Sequence, residues 1–216
     1  MTDYSDVQYD EGMAEELGKF PVLKEGTMRF VVKKAVVGNG KEVLGKRCVG
    51  GNEQYKNDLM VGLTISPVDA TGKPSTTTTN IELPVPMYNP KVTGHTLGTD
   101  RLKTCNKLCG RLARAIYKDF PWYARQDKER PGSYLTPNGE TIDRTKYDAI
   151  RKEVDLAVGR SAANWVRNPT QLLNETFYAE VEHSEKNGKV FANVNTFSIS
   201  SNPPEDAELV VSDFTA

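Results

Sequence analysis

Between Asn187 and Phe197 the chain reads NGKVFANVNTF, and its side chains alternate in type with a period of two. Phe191, Asn193, Asn195 and Phe197 share one parity; Val190, Ala192 and Val194 share the other. On an extended strand successive side chains leave on opposite faces, so one face is small and apolar while the other carries rings and amides. A solvated sheet face ordinarily carries charges. Exposed rings separated by amides are suited to stacking on flat aromatic groups and bonding their edges; such stacking contributes about 1–3 kcal/mol per nucleobase. The plain alternative is that Phe191 and Phe197 are core residues, with the valines outside or a bulge exchanging faces midway.

Further rings and cations could serve the same chemistry. Tyr178, in TFYAEVEH, is opposite in parity to Phe177, Ala179 and Val181, so it faces outward together with Glu180 and Glu182. Those two acids count against a uniformly cationic platform. Arg29 and Lys33 share a parity in MRFVVKK. Lys41, Lys46, Arg47 and Tyr55 fall in the glycine-rich stretch GNGKEVLGKRCVGGNEQYKN, and Lys186 and Lys189 flank the turn of SEKNGK. Trp122, Tyr123 and Tyr134 stand near Arg125, Lys128 and Arg130. That interleaving suits a flap closing over a ligand, and equally an ordinary loop anchored by Trp122 in a minor core. Trp165, on a helical stretch, reads as core. Cations that track phosphates and rings that stack on bases together describe binding to a single-stranded polynucleotide without sequence preference.

Other chemistries find less support. Cys105 and Cys109 are four apart on a helical pattern, whereas structural zinc favours a Cys-x2-Cys turn; they read as small core residues, and no metal or cofactor is expected. His95 and His183 sit in no nucleophile or metal signature. GNGKEVLGK has neither the spacing of a phosphate-cradling loop nor an expected helix after it. The acids pair into no two-metal site. The chain is read as a non-enzyme.

The net charge of −1 conceals a division. Residues 1–25 hold seven acids against Lys19 and Lys24, a net −5; residues 200–216 hold four acids and no base, −4; residues 26–199 therefore carry +8. A basic body between acidic ends suits a polyanion ligand, although charged termini also serve solubility alone. Three cysteines without a disulfide-framework spacing point to a reducing, cytoplasmic setting. No apolar run approaches the roughly 20 residues of a membrane span.

The elements that must position these residues follow from periodicity. Strands are expected at about 27–37, at LMVGLTIS with Leu59, Val61, Leu63 and Ile65 on one face, and at TTTTNIELPV with Ile81, Leu83 and Val85 inward. Pro84 and Pro86 require that third strand to end there or lie at an edge. The segment 38–57 reads as a long, flexible, basic loop. Leu102, Cys105, Leu108, Leu112 and Ile116 predict a helix over about 100–118, capped by Thr99 or Asp100, with Arg101, Lys103, Lys107, Arg111, Arg114 and Lys118 opposite. An insertion, 119–169, contains a small hairpin around PNG and a second helix with Tyr147, Ile150, Val154 and Ala157 on one stripe. TFYAEVEH and VFANVNTFSIS flank a hairpin turn.

Three strands, a helix and a hairpin is the element order of the five-stranded OB-fold barrel, and the expected class is mainly β with helices, α+β. The expected division is an acidic arm, 1–25, an OB-fold domain, 26–199, containing the insertion, and an acidic tail, 200–216. The stretches LKEGTMRFVVKKAVVGNGK, LMVGLTISPVDATGK and LLNETFYAEVEHSEKNGKVFANVNTFS resemble the OB-fold single-stranded DNA-binding proteins of tailed bacteriophages. The resemblance covers about 27–118 and 170–200. It implies non-specific coating of single-stranded DNA (single-stranded RNA being the chemical neighbour) during replication or recombination, in the host cytoplasm. It also implies recruitment of replication or recombination proteins by the acidic C-terminal tail; here EDAELVVSDFTA is thinly acidic and continues past Phe214. A homo-oligomer fits this reading. The alternative is a structural barrel that docks another protein and binds no nucleic acid.

Overall fold

A computed structural model describes residues 23–186 and 188–203 of the chain. The expected acidic arm up to residue 22, and the tail beyond Pro203, lie outside the described residues. Five long strands form the main sheet: β1 (Gly26–Asn39), β2 (Leu59–Pro67), β3 (Thr79–Pro84), β7 (Thr176–Lys186) and β8 (Lys189–Ser200). Between β1 and β2 lies a short helix, α1 (Gly40–Leu44); α2 (Thr99–Ile116) follows β3. The insertion contributes β4 (Arg125–Gln126), β5 (Tyr134–Leu135), β6 (Thr141–Ile142) and the long helix α3 (Arg144–Arg167).

The strand order is β3-β2-β1-β7-β8, antiparallel throughout, and β3 and β8 approach each other to leave a nearly closed barrel. With α2 between the third and fourth long strands, the chain is an OB-like α+β fold. The alternation expected of the strands places Phe30 and Val32, Val61, Leu63 and Ile65, Ile81 and Leu83, and Phe177, Ala179 and Val181 in one core. β3 lies at the end of the strand order and stops at Pro84, whose ring nitrogen has no hydrogen for a ladder. Leu108, Cys109 and Leu112 of α2 join the core, and so do Val154, Val158, Ala162 and Trp165 of α3. Gly110 sits where the two helices meet: a Cβ there would lie 3.2 Å from Val158 Cγ2.

Several expectations require correction. The basic segment after β1 is folded rather than flexible. Asn39 caps α1 through a capping box: its Oδ1 accepts from Glu42 N–H at 2.9 Å, and Glu42 Oε2 accepts from Asn39 N–H at 2.8 Å. The helix, five residues long, lies within GNGKEVLGK and begins at Gly40; 3-10 turns at Gly45–Arg47 and Gly50–Tyr55 continue the segment. Gly40 N–H donates to Asp58 O at 2.9 Å, and a side chain there would collide with the Tyr55 carbonyl. Helix α2 starts at Thr99 with Gly98 as its cap residue, so neither Thr99 nor Asp100 caps it. On β1 the register slips between Val32 and Lys34, making Lys33 the extra residue of a bulge. Arg29 and Lys33 therefore do not share a face by simple alternation, although both are exposed.

Candidate nucleic-acid interface

β1 meets β7 only from Gly26, opposite Val181, onward. Residues 182–186 of β7 pair with 189–193 of β8 beyond that point, so the hairpin projects as a two-stranded arm. Phe191 sits on this arm, opposite Ser184, and is 48% exposed. Val190, expected on the inner face, is equally exposed, being next to the tip and well beyond the last β1–β7 pair. Ala192 and Val194 do pack against the core as their parity predicts. Lys186 and Lys189 are register partners at the tip; their side chains lie outside the described residues.

β8 then bulges. Glu180 pairs with Asn195 and Tyr178 with Ser200, so Ala179 alone faces the four residues 196–199. Three extra residues reverse the parity, and Ile199 enters the core while Phe197 remains 44% exposed. The distortion is held by hydrogen bonds that replace the lost ladder. Asn195 Oδ1 accepts from Phe197 N–H at 2.9 Å; Ser198 Oγ donates to Asn195 O and accepts from Glu180 N–H, both at 2.7 Å. Asn195 Nδ2 donates to Glu182 Oε1 at 2.6 Å, so both ends of that amide are engaged within the chain. Asn193 Nδ2 donates to Ser184 Oγ at 2.7 Å, and its Oδ1 has no partner among the described residues. Lys107 Nζ lies 5.1 Å from the centre of the Phe197 ring, a cation the helical pattern placed on the polar face of α2. Tyr178 is half-buried beside Arg29, which donates to Thr176 Oγ1 at 3.3 Å.

The cations before β2 form a separate group at the other end of β1. Lys41, Lys46 and Arg47 are exposed, and Arg47 pairs with Glu82 of β3 at 2.5 Å. With Lys34, Val36, Gly62 and Asn80 these two line a shallow groove of about 120 Å³ on the outer face of β1, β2 and β3. Tyr55 is covered by the Arg101 guanidinium, 3.8 Å above its ring, so this ring face is not open for stacking. Arg101 bonds Asp58 from Nε at 2.7 Å, and His95 Nε2 lies 3.1 Å from the same carboxylate. Asn89 N–H donates to His95 Nδ1 at 2.9 Å, which fixes the ring proton on Nε2. Arg101 and His95 thus anchor the folded segment instead of facing solvent.

In the insertion, Trp122 is 53% exposed and Tyr123 is half-buried. The Arg114 guanidinium lies 5.8 Å from the first ring and 5.1 Å from the second. Tyr123 donates to Asp155 Oδ1 at 2.5 Å; burial, then this bond, pushes the phenol pKa up. The expected hairpin is β5–β6, turning at Gly139 with φ 81°. Trp165 is fully buried and donates to Tyr117 Oη at 2.9 Å. Cys105 and Cys109 are buried in the α2 face; burial raises the Cys105 thiol to about 11 and moves Cys109 in the same direction.

The expected site residues therefore fall into three groups, β7–β8 with Arg29, the folded segment before β2, and the Trp122–Tyr123 loop, with Lys33 apart from them at the β1 bulge. Lys107, Arg111 and Arg114 belong beside them. Their spacing of four and three on a helix was the available signal, but a solvated polar face shows the same spacing. No protein-family model matches the chain, and no curated protein matches it significantly.

Proposed function

We propose that this chain is a single-stranded DNA-binding protein of the phage type, coating strands without sequence preference during replication or recombination and catalysing no reaction. One observation carries the reading. Phe191 and Phe197 stand half-exposed along the last strand of an OB-like barrel, with Lys107 over the second ring. Bases stack on such rings while nearby cations neutralise phosphates. The strongly basic body between the acidic ends supports it.

Fluorescence anisotropy with labelled oligo-dT, oligo-U and duplex DNA at two salt concentrations tests the reading. Single strands should bind more tightly than duplex, and log K should fall with log salt by about 0.7 per phosphate neutralised. Absent or salt-insensitive binding would sink the proposal. A protein-docking barrel would then be favoured, and it has its own surface: a cleft of about 370 Å³ between α2 and α3, where Leu102 and Leu156 are exposed.

A further inference from the structure

We infer that the hollow enclosed by the second half of α2, the Trp122–Tyr123 loop and the end of β8 is a subsite for one nucleotide unit, a phosphate with its base. It continues the strand's path beyond Phe197 and rests on the single-strand-binding reading above. The hollow measures about 260 Å³ and is lined by Arg111, Arg114, Trp122, Tyr123, Ser200 and Ser201.

Two arginines define its chemistry. Arg111 Nε and Arg114 Nη1 are buried with no hydrogen-bond partner among the described residues. Charged donors left dry are costly, and folded proteins retain them where something else completes them. Among the described residues neither arginine joins an ion pair; the nearby Asp155 accepts from Tyr123 and lies 3.9 Å from Arg151. Arg114 instead lies near two aromatic rings, contacts that consume none of its N–H groups. Both side chains line the hollow, and a guanidinium fork matches a phosphate; a side-chain rotation toward the hollow would bring the unpartnered N–H groups onto it. Burial, with Arg111 adding like charge, lowers the Arg114 pKa, a tension that a bound anion relieves.

The hollow supplies the base partner as well. Trp122 is 53% exposed at its rim, and indole is a strong stacking surface. Ser201 adds a hydroxyl for a phosphate oxygen, whereas that of Ser200 donates to Asn202 O at 2.6 Å. Its position is continuous with the proposed track: Lys107 covers Phe197, Arg111 and Arg114 follow at the next turns of α2, and Ile199 in the lining is two residues past Phe197.

Intrinsic fluorescence of the full chain provides the test. Of the two tryptophans, Trp165 is fully buried, so quenching by oligo-dT reports Trp122. Wild type should be quenched on titration with oligo-dT, and Trp122→Phe should lose that signal. Combined Arg111→Gln and Arg114→Gln should weaken binding of a long oligo-dT roughly ten-fold and flatten the salt slope by about 1.4. The thermal midpoint should not fall, because buried unpartnered charge is removed; Arg114→Lys, which keeps the charge but loses the fork, should weaken binding while leaving the salt slope near wild type. Unaltered affinity and slope in the glutamine variant, with no Trp122 quenching in wild type, would overturn the subsite while leaving the barrel's strand binding intact. A lowered midpoint with normal binding would make the arginines structural and overturn it equally. Failure of wild type to bind oligo-dT would overturn both readings.

Discussion

Phe191 and Asn195 share a parity and a strand, yet their surroundings assign them different work. Phe191 is 48% exposed and belongs to no core cluster, so Phe191→Ala should leave the thermal midpoint near wild type. Its oligo-dT affinity should nevertheless drop roughly 5- to 150-fold, the equivalent of one lost base stack. Anisotropy titration alongside thermal melting checks the pair of outcomes; a lowered midpoint with unchanged affinity would show the ring to be structural. Asn195 was legible in sequence only as an amide beside two rings. That its amide holds the bulge depends on Phe197 N–H and Glu182, partners that exist only once β7 and β8 have paired. Tyr55 illustrates the same limit: a ring in a basic segment looks available until Arg101, 46 positions away, is seen to cover it.

Among the elements, the five strands and α2 could be read because their inward positions repeat at periods of two and of three to four. The small sheet β4–β6 escaped except at its hairpin, since two-residue strands carry no period. The segment before β2 escaped in part because its order comes from afar, Asp58 anchoring it to Arg101 and His95, although the Asn39–Glu42 capping box that opens α1 is a local signal. Helix α2 also sets a pH response. Burial raises the Cys105 thiol to about 11, and Cys109 shifts the same way, whereas both release their protons near pH 9 once unfolded. The native state thus holds protons that the unfolded state has lost, and stability is full below pH about 9 and declines toward about 11. Urea midpoints should fall between pH about 9 and about 11. Double replacement of Cys105 and Cys109 by alanine should lessen that fall; an identical fall would place its origin elsewhere.

For the molecule as a whole, barrel and insertion share one core, since Trp165, Val154 and Val158 of α3 lie in the same cluster as Phe30 and Phe177. Trp165→Ala should therefore cost about 3–5 kcal/mol and shift the entire urea transition, not a helical portion of it. Circular dichroism and tyrosine emission should move together; separate transitions would mean that α3 folds as its own unit. Against that single core, the β7–β8 arm stands apart. Beyond Ala192, which still packs against the core, the ribbon has no interior and works as an adjustable ruler. Two residues added to each of its strands would preserve which face every side chain presents, and would carry the tip about 7 Å farther from the wall. The reach of the molecule along a ligand can thus be lengthened or shortened by evolution, or by design, without repacking a single buried side chain.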